Sequence, residues 1–333
     1  MSIPSSISAS FTSSYSARAE LTLGALMGDT ESMRGVREIT AAVAPTVLPV
    51  LILGPTGVGK ELVARAVHAL SGRSGALVCF NAAAVSDSMF EATMFGHVRG
   101  AFTGAVSDHP GYLAEADRGS LFLDEVASMG TAVQAKLLRA IETGEYRAVG
   151  GRANARSQFR VVSAANEDMT ALARERRFRD DLLHRLAGVV IEIPPLAERR
   201  DDIPLLARHF LTLDGNGHVA LDDDAASMLR DRHWPGNVRE LRHVMSLVAA
   251  LCGARVTAPV LRRALGLRLQ PDLALVSDAP ERRELTDALE RNRWDTERAA
   301  DELGIHRTTL YRRMKRYRLS VPEGVERRAD FMG

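Results

Sequence analysis

Cysteine is scarce in this chain of 333 residues: only Cys79 and Cys252 occur. Two thiols exclude a disulfide framework and offer no metal-ligand spacing. That fits a reducing cytoplasm, with both expected as small core residues. Long apolar runs are also missing. None approaches the roughly 18 residues of a membrane helix, so no membrane partner is expected. Net charge is nearly absent, at +1, so only local charge can point to a partner. The start, MSIPSSISASFTSSYSARAE, lacks the basic opening and apolar centre of a secretory signal. It is serine-rich and reads as a disordered tail over 1–22. No internal repeat is visible. What is present is ordinary for a globular protein: 46% hydrophobic and 26% charged residues, in a length that suits two or three domains.

Apolar runs alternate with amphipathic ones after the tail. Val47–Leu53, Leu77–Phe80, Ser120–Leu123, Arg160–Ala164 and Val189–Ile193 read as strands, and Glu61–Leu70 as a helix. Such alternation predicts an α/β fold, a parallel sheet with helices on both faces. Strands are expected to stop near Asp201. Asp222–Leu229 and Val238–Leu251 read as helices of a small all-α lid. The predicted organisation is an α/β domain over 23–195 and a helical lid over 196–265. A linker over 266–280, a basic helical segment over 281–320 and a tail over 321–333 follow.

Gly54-Pro55-Thr56-Gly57-Val58-Gly59-Lys60 lies between the first strand run and a helix, the context a P-loop requires. Small residues let backbone N–H groups curl inward onto phosphate oxygens, and the helix N-terminus adds its dipole. Lys60 would reach the β- and γ-phosphates of ATP. The pattern usually ends in Ser or Thr for magnesium, and here Glu61 stands there. The apolar run Leu121-Phe122-Leu123 ends in Asp124-Glu125, which places two carboxylates on the sheet edge where ligands bind. Asp124 would hold Mg2+, directly or through water. Glu125 would polarise the attacking water as general base.

These residues resemble the AAA+ domain of sigma-54-dependent activators, the bacterial enhancer-binding proteins. The most specific match is Gly100-Ala101-Phe102-Thr103-Gly104-Ala105, the family's GAFTGA loop, approached through Glu91–Arg99. The resemblance runs from near Leu26 to Leu251 and accounts for Glu61, since this family commonly carries GKE. It implies that Phe102 and Thr103 contact sigma-54 within RNA polymerase. It also implies that Asn81 hydrogen-bonds the catalytic Glu and that Asn166 senses the γ-phosphate. Arg179 and Arg185, in the segment Phe178–Leu186, match arginine fingers, which implies a self-assembled ring, a hexamer, with ATP at its interfaces. Arg239, in Trp234-Pro235-Gly236-Asn237-Val238-Arg239-Glu240-Leu241, matches the lid's nucleotide-sensing Arg. Pro55, Val58, Arg118 and Ala197 depart from the family's usual residues. About 25 residues precede the match, too few for the family's sensory domain, so control by a regulatory protein in trans is expected. A general AAA+ remodeller and a repressor without activator function are the competing readings.

Thr296–Tyr317 looks like a helix-turn-helix similar to the Fis-type domain of these activators. Thr296 is expected to cap the first helix. Ala299, Ala300 and Leu303 should form its inner face, Gly304 the turn, and Leu310 and Met314 the buried side of the second helix. His306, Arg307, Thr308, Thr309 and Arg312 are expected in the DNA groove, and Arg313, Lys315 and Arg316 on phosphates. Upstream enhancer DNA, bound by dimers, is the implied partner.

Overall fold

The computed structural model describes residues 22–213, 219–269, 280–292, 294–303, 305 and 310. It divides between Ala258 and Pro259 into two compact units.

The first unit opens with helix α1 (Glu31–Val43), strand β1 (Val50–Leu53) and helix α2 (Lys60–Ala69). Strand β2 (Leu77–Asn81) and helices α3 (Asp87–Met94) and α4 (Tyr112–Glu115) follow, then strand β3 (Ser120–Asp124) and helix α5 (Thr131–Thr143). A two-residue hairpin, β4 (Glu145–Tyr146) and β5 (Ala155–Arg156), precedes β6 (Arg160–Ala165), α6 (Met169–Arg174), α7 (Asp180–Leu186) and β7 (Val189–Glu192). Strands β2-β3-β6-β1-β7 form one sheet in that order, with every pairing parallel. Parallel strands covered on both faces are near-continuous apolar runs, and β6 is buried at every residue, Arg160 and Ser163 included. The edge strand β2 alternates instead. That alternation corrects the expectation for Cys79, which faces outward and is exposed, while Cys252 is only half-buried.

One core layer joins Leu121, Leu123 and Val161 of the sheet to Phe90, Leu137 and Leu182 of the helices. The other joins Val50, Ile52 and Val162 to Val36 and Val63. Strand β1 is shorter than expected, because Val47 and Leu48 stand exposed before Pro49. At the bottom of the sheet Arg160 is 2% exposed. Its guanidinium donates to the carbonyls of Val43, Ala44 and Leu48 at 2.9, 2.6 and 2.9 Å.

Helices α8 (Ile203–Leu213), α9 (Asp223–Asp231) and α10 (Asn237–Leu251) complete the first unit, around Leu206, Phe210, Leu229, Trp234, Leu241 and Val244. Strands do not stop near Asp201 as expected. β8 (Ala220–Leu221) and β9 (Arg255–Val256) form a two-residue parallel pair among these helices. Pairs that short carry no periodicity for sequence reading to find.

The second unit contains α11 (Ala258–Leu269), α12 (Pro280–Arg291) and α13 (Thr296–Glu302). Leu285, Leu289, Ala299, Ala300 and Leu310 form its core, with Trp294, Leu303 and Ile305 packed against them. The cap of α13 is Asp295, not Thr296. Its carboxylate accepts the N–H groups of Glu297 and Arg298, and a carboxylate also suits the helix dipole. Gly304 and Met314 lie outside the described residues.

Candidate functional site

A parallel sheet carries the C-terminal ends of its strands to one edge, and the chemistry gathers there. From β1 the chain enters the loop Gly54–Lys60. Gly57 has φ +84, and a Cβ on it would lie 2.4 Å from the Gly236 carbonyl oxygen, so only glycine fits. Lys60 opens α2 and is 7% exposed. Its Nζ donates to the Gly54 and Pro55 carbonyls at 2.8 and 3.4 Å. Burial lowers the Lys60 pKa from its ordinary value, while Glu125 and Asp124 oppose the shift.

Asp124 ends β3, and its Oδ1 accepts the Glu125 N–H at 3.0 Å. Glu125 sits at φ 55, a left-handed conformation that a non-glycine residue adopts at a cost. The turn lets both carboxylates line one cleft of about 370 Å³ with Lys60, Arg199 and Arg239. Leu26, Met27, Leu206 and Phe210 give that cleft an apolar wall. Asn166, just past β6, donates through Nδ2 to Thr56 Oγ1 at 3.3 Å. It therefore touches the phosphate-binding loop directly. Asn81 pairs in register with Asp124 across β2 and β3. Its Oδ1 accepts the Ala83 N–H at 2.9 Å, and among the described residues no hydrogen bond joins it to Glu125.

Residues after β7 close the loop from the opposite side. Arg239 N–H donates to the Gly57 carbonyl at 3.1 Å. Asn237, 3% exposed at φ 50, donates through Nδ2 to the Thr56 carbonyl at 3.0 Å. Its Oδ1 accepts the Leu196 N–H at 2.8 Å. Arg199, 2% exposed, donates through Nη2 to the Val58 carbonyl at 3.1 Å and through Nη1 to Met33 Sδ. Sequence reasoning missed Asn237 and Arg199 as site residues. Neither belongs to a periodic pattern, and nothing local says that a loop some 140 to 180 residues earlier supplies the acceptors.

Arg179 and Arg185 lie apart from this cleft. Arg179 stands at the N-terminal boundary of α7 without a side-chain cap bond and forms an exposed ion pair with Asp181 at 2.7 Å, which raises its pKa. Its backbone N–H donates to Gln134 Oε1 at 2.8 Å. Arg185 is exposed in the last turn of α7. Neither lines the nucleotide cleft of its own chain.

The segment Gly100–Ala105 leaves the body as a closed tip. Gly100 N–H donates to the Ala105 carbonyl at 2.8 Å, and Ala105 N–H to the Phe102 carbonyl at 3.0 Å. Phe102 is 38% exposed, and Thr103 and Val106 are exposed beside it. The His97 and His109 rings stack at 5.7 Å, and the edge of that pair receives Phe102. The hairpin β4–β5 supports the base of the tip, where Val98 N–H donates to Val149 and Gly150 backs onto Ala101. The predicted DNA contacts His306, Arg307, Thr308, Thr309, Arg312, Arg313, Lys315 and Arg316 lie outside the described residues.

Comparison with known proteins gives three family matches in chain order. Residues 26–192 match the Sigma-54 interaction domain, 197–267 the AAA+ ATPase lid domain, and 279–317 the Fis family of bacterial regulatory proteins. The anaerobic nitric oxide reductase transcription regulator NorR of Vibrio vulnificus is 38% identical over 319 residues, 87% of this chain and 62% of that protein. The DNA-binding transcriptional regulator NtrC of Azospirillum brasilense is 42% identical over 235 residues, 69% of this chain and 49% of that one. The chain thus spans less than two thirds of either relative. Among solved structures, NtrX from Brucella abortus in complex with ATP is 32% identical, with a TM-score of 0.65 over 87% of this chain and 68% of that one. The Thermotoga maritima RuvB branch-migration motor shares the fold, with a TM-score of 0.51 at 18% identity.

Proposed function

We propose that this chain, which belongs to the Sigma-54 interaction domain family, hydrolyses ATP to drive the loop Gly100–Ala105 against sigma-54 in bacterial RNA polymerase and so opens promoters. The observation that carries this reading is a double one. The Lys60, Asp124 and Glu125 side chains share one cleft. An aromatic-tipped loop stands exposed on the segment between β2 and β3 of the same sheet.

ATP would lay its phosphates along Gly54–Lys60, with Lys60 leaving the loop carbonyls for the β- and γ-oxygens. Glu125 would take the proton of the attacking water. The donor set suits Mg2+, which keeps most of its waters and takes one or two carboxylates plus substrate phosphates. Among the described residues no cluster of three ligating side chains exists, so Asp124 would hold the ion with the nucleotide. Bound there, Mg2+ would offset the charge that develops on the phosphates. Asn166, bonded to Thr56, would report the γ-phosphate to β6. Arg179 and Arg185, exposed and outside their own cleft, suit arginine fingers lent to a neighbour in a hexameric ring. Asn81, beside Asp124 in register, would relay nucleotide state towards the loop. The Fis-family match over 279–317 supports binding of upstream DNA by dimers, which raises local concentration for ring assembly. The cytoplasm is the expected location, and among the described residues no helix is long and apolar enough to cross a membrane.

The test is in-vitro transcription from a sigma-54 promoter with its upstream site, comparing wild type and Thr103→Ala. Wild type should open the promoter with ATP, and the variant should hydrolyse ATP without doing so. If both hydrolyse ATP and neither opens the promoter, a general remodeller is the better account.

A further inference from the structure

Three consecutive carbonyls of the phosphate loop are each held by a donor from residues 199–239. Asn237 Nδ2 holds Thr56, the Arg239 N–H holds Gly57, and Arg199 Nη2 holds Val58, at 3.0, 3.1 and 3.1 Å. All peptide bonds here are trans. In a trans peptide the C=O and the following N–H point in opposite directions. Fixing these three carbonyls therefore fixes the N–H groups of Gly57, Val58 and Gly59 towards the interior of the loop. Among the described residues, none of those three N–H groups donates to another group of the protein.

We infer that Asn237 and Arg199 are positioning residues that hold the phosphate cage open from outside, so that its three amides are already aimed when the β-phosphate arrives. The inference rests on the nucleotide-binding reading above. A glycine-containing loop does not hold such a shape alone. Gly57 and Gly59 have many accessible conformations, and an empty cage of parallel N–H dipoles favours peptide rotation. Preorganised donors raise affinity because binding no longer has to order them.

Both residues are fixed by further bonds outside the loop. Asn237 holds φ 50 and is buried, so its amide is committed at both ends, to Thr56 and to Leu196. Arg199 accepts near-complete burial, which lowers its pKa, and its Nε has no partner among the described residues. Only its Nη atoms find acceptors, and one of those is Val58. The buried Asp202 carboxylate opposes that pKa shift. The arrangement also ties residues 199–239 to the cage directly, through all three carbonyls.

The test measures dissociation constants of ADP and AMP for the full chain by calorimetry, with ATP hydrolysis recorded alongside. Asn237→Gly keeps the φ requirement and removes both side-chain bonds. We expect its ADP affinity to fall about tenfold, the worth of roughly one hydrogen bond, while AMP affinity stays within about twofold. Arg199→Met should change the same ratio in the same direction. Should Asn237→Gly not fold, Asn237→Asp decides, because it keeps the acceptor for Leu196 and sets an oxygen against Thr56. Affinities for ADP and AMP that fall together, or an unchanged ratio, would overturn the inference and leave Asn237 a structural bond. A wild type that binds ADP without hydrolysing ATP refutes the function proposed above, and the ratio still decides this inference.

Discussion

The His97 ring meets the Phe102 ring edge-on at 5.0 Å, with the planes at 61°. His97 is itself backed by His109, stacked at 5.7 Å. Phe102 is thus the outer member of a three-ring cluster, seated but not buried. Edge-to-face pairs contribute about 0.5–1.5 kcal/mol beyond area, enough to choose a position for the tip without locking it there. His97→Ala should therefore shift the seated fraction of Phe102 by about threefold to tenfold. ATP hydrolysis should stay near wild type while promoter opening changes. His97→Phe should restore it, as read by parallel phosphate-release and transcription assays.

Glu125→Gln separates binding from chemistry. The amide keeps the shape and loses the base, so phosphate release at saturating ATP should fall by about 10²–10⁴. ADP affinity should be close to wild type. An unchanged rate would remove Glu125 from the role of base.

Gly104→Ala tests whether the tip needs its backbone shape. Gly104 has φ +101 with open space around its Cα, so alanine meets strain and no clash. The melting temperature should move by no more than about 2 °C, because the tip contributes little to the core. Transcription should be lost with ATPase retained. A variant that still opens promoters would show that the φ is not needed.

Arg160→Leu should be the most destabilising change of this set. Burial lowers the Arg160 pKa to about 10, so the group remains a cation at neutral pH, and three carbonyls depend on it. Their loss should lower the unfolding free energy by about 3 kcal/mol, seen as an earlier urea midpoint. A shift under about 1 kcal/mol would mean that the carbonyls find other donors.

The sequence was legible wherever a residue's task is local. Gly54–Lys60 needs small residues between a strand and a helix, and Asp124-Glu125 needs only to follow an apolar strand. The five main strands announced themselves as apolar runs, because a parallel sheet covered by helices buries most of its strand residues. The GAFTGA loop was legible as a string of letters, and its glycines do occupy left-handed conformations.

Relations across long separations were decided by the tertiary structure. Arg160 opens a strand run, and only the fold shows that three carbonyls from residues 43–48 surround it. Cys79 reads as a core residue until its strand is found at the sheet edge. The β4–β5 and β8–β9 pairs are too short to have a period. Asn237 and Arg199 look like one more turn residue and one more cation among many. They acquire their partners because the lid helices fold back over the loop and bring donors to carbonyls that lie some 140 to 180 residues away. Composition and spacing determined which groups this protein could use; the direction in which each backbone amide points is a property of the closed fold, because peptide planes are set by whatever their carbonyls reach.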